Sequence, residues 1–208
     1  MTGGMTLHWS PLSPFVRKVM CVIHERRLAG QVRCVRTKVS RYVPNAALLA
    51  INPLMRIPTL ELGNGSVLFD SVVICEYLDT LGHGPGLYPQ QADRRWQALR
   101  WQALGDGLCD TLIVWRHERE RPEAQQQQDF LHASALKLSS TLQLLEHEVA
   151  QLDTVAYGIG HIAIGCALGY LAVRFADVSW HASHPQLAQW QQRFEARESS
   201  QLSAPAHA

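Results

Sequence analysis

An excess of charge of either sign is the first thing this chain lacks. Its 19 Lys and Arg stand against 18 Asp and Glu, a formal net charge of +1 over 208 residues, and the basic residues are spread along the sequence. That removes the electrostatic case for nucleic acid or an anionic membrane and leaves a small molecule or another protein as the partner. Long apolar runs are also scarce. The strongest, Ile159 to Val173, is shorter than the ~20 residues of a membrane span, carries glycines and is flanked by His161 and Arg174, so it reads as the central buried helix of a helical domain. No basic run followed by an apolar stretch opens the sequence, so export is not expected. Paired cysteines are missing too. Cys21, Cys34, Cys75, Cys109 and Cys166 are odd in number, far apart and mostly inside apolar stretches, which points to free thiols in a reducing, cytoplasmic setting. The ten histidines scatter without ligand spacing; His161, His181 and His184 fit structural or surface roles, and no metal is expected. No internal repeat is visible.

What is present has a clear order. Met5 to Trp9 is a short apolar-biased run that ends in Ser10, Pro11, Leu12, Ser13 and Pro14, after which Val16, Val19, Met20 and Ile23 recur at helical spacing. Gln31 to Thr37 alternates as a strand does, and Pro44 to Ile51 suits a short helix. Thr59 to Leu62 and Val67 to Phe69 flank Gly63, Asn64 and Gly65, the strongest hairpin signal in the chain. Asp70 and Ser71 then open a segment with Ile74, Tyr77, Leu78 and Leu81 on one helical face. The expected order, β-α-β-α-β-β-α, is a small α/β layer complete by Leu81.

A Gly/Pro-rich stretch follows, with Gly82, Gly84, Pro85, Gly86 and Pro89, and beyond it strand signals vanish. The expected domains are therefore 1–81, a linker at 82–90, and an all-helical domain at 91–208. Gln91 to Arg119 predicts a long helix. Leu131, Ala135, Leu138, Leu142, Leu145, Val149 and Leu152 predict a second one with a single buried stripe, opened by the polar run Gln125 to Gln128. The buried helix from Ile159 and a shorter one over Gln186 to Phe194 complete this half, and the tail after Ser199 is expected to fray.

Three corners of the first half carry chemistry. Ser13 and Pro14 place a hydroxyl at the cap and a proline at the first position of a helix that follows a strand directly, where unpaired N–H groups and the helix dipole favour an anion. A thiolate qualifies: lowering a thiol pKa of about 8.5 by two units is worth about 2.7 kcal/mol and makes the thiolate the main form near neutrality. Read alone, Ser13 is better accounted for as an ordinary helix cap. Ile57 and Pro58 precede an edge strand, and a cis bond there would turn the Ile57 backbone outward to pair with an extended peptide; a trans loop proline is the plain alternative. Asp70 and Ser71 open the next helix, a corner suited to a zwitterionic amino-acid end or to simple capping. Ser10 and Ser13 have the spacing of a Cys-x-x-Cys pair, but neither is cysteine, so disulfide exchange lacks its nucleophile.

Taken in order and spacing, Ser10-Pro-Leu-Ser13-Pro-Phe-Val-Arg-Lys18, Asn52-Pro-Leu-Met-Arg-Ile-Pro-Thr-Leu60 and Leu68-Phe-Asp-Ser71 resemble the glutathione-binding domain of cytosolic, bacterial-type, serine-type glutathione transferases. The resemblance continues through Ala103 to Asp110, Glu118 to Pro122 and Ile162 to Leu171, and covers about Met5 to Pro205. It implies a thioredoxin-like N-terminal domain with an all-α C-terminal domain, glutathione as co-substrate, a small electrophile as partner, and a homodimer. It also implies roles. Ser13 would bond the glutathione sulfur, Ile57 before a cis Pro58 would pair with the cysteinyl backbone, and Asp70 and Ser71 would hold the γ-glutamyl end. Arg56, or else Lys38 or Arg41, would meet the glycyl carboxylate, and Asp106 would approach the γ-glutamyl group from the partner subunit. Ser10, Leu12, Asp110, Val114, Trp115 and Tyr170 would wall the electrophile pocket, in a cleft between the domains. Two departures stand out. Gly158 and His161 replace the Ser or Thr and the Asp of the family's capping box on the buried helix, and Met55 takes a place usually held by glycine.

The implied activity is conjugation of the glutathione thiolate to a small hydrophobic electrophile, a detoxification reaction. A specialised glutathione enzyme (dehalogenase, ether-cleaving enzyme, isomerase or peroxidase) and a non-catalytic binding protein on the same fold are the alternatives, because variable apolar side chains build the electrophile pocket.

Overall fold

The computed structural model describes residues 4–205; residues 1–3 and 206–208, counted above in the expected domains, lie outside the described residues. The described chain divides into two compact units, one running to Pro89 and taking in the residues from Glu198 onward, the other Gln90–Arg197.

In the first unit the strands are β1 (Met5–Trp9), β2 (Val32–Arg36), β3 (Thr59–Glu61) and β4 (Val67–Leu68), in sheet order β2-β1-β3-β4. β1 pairs parallel with β2 and antiparallel with β3, and β3 pairs antiparallel with β4. The turn between β3 and β4 closes through Gly65, whose φ of 84° is one that glycine adopts without steric cost. Helices α1 (Pro14–Glu25), α2 (Ala46–Ile51) and α3 (Ser71–Leu81) follow the expected order. Leu7, Val19, Val22, Ile23, Leu60, Ile74 and Leu78 are shut off from solvent and form the core, whereas Leu81, expected on the same face of α3, is exposed.

Through Leu202 the expected fraying does not occur. Glu198–Leu202 forms α8, which packs on α1. Ser199 and Ser200 are buried because their hydroxyls find partners there: Ser200 Oγ accepts from Arg17 at 2.7 Å and Ser199 donates to Glu25 at 2.6 Å.

The second unit is helical: α4 (Ala92–Arg119), α5 (Gln128–Thr154), α6 (Ile159–Arg174) and α7 (Pro185–Glu195). α6 is buried from Ile159 to Leu171, as a helix apolar all round must be. α4 lies against it at Gly105, where a Cβ would stand 2.5 Å from the Ala163 carbonyl carbon, so only glycine permits this approach. Two expectations shift in α5. Ser134 rather than Ala135 lies on the buried stripe, at no polar cost because its hydroxyl donates to the Phe130 carbonyl at 2.8 Å. The polar run mostly precedes the helix: Gln126 leaves the helical path and its amide donates to the Arg119 and Arg121 carbonyls, so the helix starts at Gln128. Among the described residues no helix is long and apolar enough to cross a membrane, and all five cysteines are free thiols, Cys34 exposed and the others buried.

Candidate functional site

The sheet register gathers the three corners at one end of the sheet; β3, expected as an edge strand, instead lies between β1 and β4 because it pairs with both. Leu7 of β1 sits opposite Leu60 of β3, and Leu60 opposite Leu68 of β4. The pairing at this end stops at His8 with Thr59 and at Leu60 with Leu68, so Trp9 and Ser10, Ile57 and Pro58, and Phe69 to Ser71 all lie directly beyond the paired residues at the same end. The chain leaves β1 toward Ser13 and leaves β4 toward Asp70 at this same end, where it also enters β3 from Ile57.

Ser13 is the N-cap of α1, with Pro14 at the first helical position. Its Oγ accepts the Val16 N–H at 3.3 Å. Its hydroxyl hydrogen has no acceptor among the described residues, so a half-buried donor stands where the helix dipole is positive. The turn brings Ser10 beside it, with the Ser13 N–H donating to the Ser10 carbonyl at 3.4 Å. Leu12 is half-buried on the same turn.

The second corner is held by a residue to which the sequence reading gave no role. Asn52 is completely buried. Its amide donates to the Arg56 carbonyl at 3.2 Å and to Thr59 Oγ1 at 2.8 Å, while its Oδ1 accepts the Leu54 N–H at 3.0 Å. Thr59 in turn donates to the Arg56 carbonyl at 2.7 Å. These bonds fix the path from Arg56 through Ile57, and the Ile57–Pro58 bond is cis. The Arg56 side chain is exposed, as are Lys38 and Arg41. Met55, in the glycine-favoured place, has a φ of 50°, and its sulfur accepts the Asn45 N–H at 3.1 Å.

At the third corner Asp70 is the N-cap of α3, accepting the Val72 N–H at 3.0 Å, after a cis bond to Phe69. Its carboxylate is exposed, and Ser71 beneath it is buried. A second unforeseen residue braces the far end of this helix. Arg26, buried at the end of α1, donates to the carbonyls of Asp79, Gly82, His83, Gly84 and Pro85 and pairs with the Asp79 carboxylate at 3.0 Å. Asp79 accepts the Leu87 and Tyr88 N–H groups, so the Gly/Pro-rich stretch is tied down along its length. Arginine in a chain says nothing of which carbonyls it will meet; the one available signal was its place just past an amphipathic helix.

In the helical unit, Asp106, Asp110 and Val114 recur every fourth residue along one side of α4, with Asp106 half-buried and the other two exposed. Trp115 turns away from that side into the core, its ring 4.9 Å from Phe175. Tyr170 on α6 is buried, which pushes its phenol pKa up against the opposing pull of Arg116 and Arg174. Among the described residues no cluster of His, Cys, Asp and Glu could hold a metal.

Comparison with known proteins points one way. A family model described as the N-terminal domain of glutathione S-transferase matches residues 12–81. The chain is 30% identical over 203 residues to the uncharacterized GST-like protein YibF of Escherichia coli (strain K12), covering 97% of this chain and 98% of that one. Among solved structures, a glutathione transferase family member from Pseudomonas fluorescens Pf-5 with bound glutathione superposes with a TM-score of 0.94 at 38% identity, over 98% of this chain and 100% of the other. A glutathione S-transferase from Methylobacillus flagellatus KT with GSH bound gives 0.90 at 32% identity, over the same shares. The chain therefore belongs to the glutathione S-transferase family.

Proposed function

We propose that this protein binds glutathione at the end of the sheet where Ser13, Ile57 and Asp70 lie, ionises its thiol there, and transfers the thiolate to a small apolar electrophile. The observation that carries this reading is Ser13: a helix N-cap whose oxygen is engaged by its own helix and whose hydrogen is left to donate. A thiolate placed there gains that hydrogen bond and the field of α1, while a neutral thiol gains little from either, so the ionised form is selected. The backbone of Ile57, on a loop held by Asn52, suits an extended cysteinyl segment. The buried Ser71 hydroxyl and the first N–H groups of α3 suit the γ-glutamyl carboxylate, with Asp70 for its ammonium. Arg56, with Lys38 and Arg41 as the more remote choices, serves the glycyl carboxylate. Support also comes from relatives that were crystallised with glutathione, at 38% and 32% identity.

In the chemical step the thiolate sulfur forms a bond to an electrophilic carbon. Either a leaving group departs with the electron pair, or the electrons pass to a conjugated acceptor that is then protonated. Ser13 lowers the thiol pKa and positions the sulfur; Ser10, one turn away, stands ready as a second donor. We assign recognition of the electrophile to side chains of the helical unit, Asp110, Val114 and Tyr170, with Trp115 supporting them from the core. We further place the protein in the cytoplasm as a homodimer acting in detoxification, with Asp106 reaching the γ-glutamyl group of the partner subunit's glutathione. Free thiols that fill apolar core positions fit that compartment.

Isothermal titration with glutathione, run beside conjugation of a chloronitrobenzene across pH, tests this reading. Saturable binding with turnover is expected. Binding without turnover would move the protein to a specialised glutathione reaction, and no binding would overturn the reading.

A further inference from the structure

The first turn of α6 is closed by a titratable ring. Gly158, its N-cap, has no side chain to offer, and the amide of this buried residue donates instead to Nδ1 of His161 at 3.2 Å. The other ring nitrogen, Nε2, lies 3.0 Å from the Leu152 carbonyl. An amide N–H only donates and a carbonyl only accepts, so the two partners fix a single state of the ring: neutral, with its hydrogen on Nε2. The ring therefore ties together the end of α5, the connecting turn and the start of α6.

Its surroundings oppose a second proton. His161 is 6% exposed, and its ring lies 5.2 Å from Tyr157, 6.2 Å from Trp101 and 6.3 Å from Trp190. Burial holds its pKa below the ordinary histidine value, and Arg197, stacked 3.6 Å over the Tyr157 ring, acts in the same direction. The hydrogen bond to the Leu152 carbonyl acts against burial, as does Asp153 at the end of α5, whose carboxylate is shared with Arg193 of α7 at 2.6 Å; burial outweighs them. On the α4 side Trp101 donates to Glu148 at 2.8 Å, and Arg100 balances that carboxylate at 2.7 Å. A proton on Nδ1 would face the Gly158 N–H hydrogen to hydrogen and leave a buried amide without an acceptor.

We propose that His161 is a proton-operated cap: neutral, it closes the start of the central helix, and on acidification it releases the Leu152–His161 turn and loosens the helical unit. The sign follows from linkage. The folded state prefers the neutral ring, so the unfolded chain takes up the proton first. The contribution of His161 to stability is complete above about pH 6.5 and falls by up to tenfold in the folding equilibrium constant for each pH unit below it. It stops falling once the folded protein is itself protonated.

Two measurements on the full chain test this. Nitrogen-15 NMR of the labelled histidines should show His161 with Nδ1 unprotonated, Nε2 protonated, and a titration midpoint below 6.5. Urea unfolding followed by tryptophan fluorescence should show a midpoint that falls from pH 8 to pH 5 in the wild type and falls less in His161→Asn, whose Oδ1 takes the place of Nδ1 and does not titrate; His24, also held below the ordinary histidine value by burial, supplies a remaining fall in both. An Nδ1–H tautomer, a midpoint at or above 6.5, or equal pH dependence in the two proteins would overturn the proposal. Should the variant not fold, the wild-type NMR titration alone decides.

Discussion

Helix starts are closed in opposite ways in the two units. In the first, α1, α2 and α3 begin at Ser13, Asn45 and Asp70, each of which accepts an N–H of its own helix. In the second, Gln91, Gln127, Gly158 and His184 provide no such bond. Two of these starts are met from elsewhere in the unit, the Gln127 N–H donating to Glu118 and the Gln186 and Leu187 N–H groups to Glu146, while the Gly158 N–H is met by His161 from the first turn of its own helix. A short local cap satisfies one amide and leaves its neighbours pointing out of the helix end, where an anion can use them. A cap delivered by a long side chain from outside the turn closes the end. The unit that carries the candidate site keeps its helix starts available, and the helical unit uses its own for internal fastening.

That contrast can be broken at the fastenings. Arg26→Ala should have the largest effect, about 3–5 kcal/mol lost in chemical denaturation of the full chain, because it strands the Asp79 carboxylate and a run of carbonyls. A loss under about 1 kcal/mol would show that the Gly/Pro-rich stretch holds without it. Asn52→Ala should lose about 1–3 kcal/mol by the same assay. Since Asn52 positions the Ile57 loop, the variant should also raise the KM for glutathione more than it lowers kcat; an unchanged KM would separate the loop from binding. Glu146→Ala removes the remote cap of α7 and should lose about 1 kcal/mol. Met55→Gly should be the smallest, a gain of up to about 1 kcal/mol, as relief of a left-handed φ outweighs lost side-chain packing. A net loss would mean that the packing of Met55 against Leu48 and Ile57 dominates.

The same contrast explains what could be read in the sequence. The hairpin at Gly63 to Gly65, the caps Ser13 and Asp70, and the stripe from Leu138 to Leu152 are each set by residues within one or two turns of one another, and the structure has them where they were expected. Fastenings made across distance left no such mark. Arg26 meets carbonyls more than fifty residues away, Glu146 caps a helix forty residues on, and Ser199 and Ser200 order the tail through partners on α1. His161 is a different case. The acid of a capping box is absent, yet a neutral imidazole nitrogen accepts the same N–H, so the pattern failed by residue type while its geometry survived on one side. At the candidate site the corner residues were legible as caps and a pre-strand proline, but Asn52, which holds one corner in place, reads in sequence as nothing more than a loop asparagine.

The proposed selection of the thiolate of bound glutathione by Ser13 is tested most directly by the ultraviolet absorbance of that thiolate, titrated against pH in the wild type and in Ser13→Ala. The expected result is a bound-thiol pKa about two units below that of free glutathione, rising most of the way back in the variant while glutathione still binds. A bound thiol with the same pKa in both proteins would contradict it.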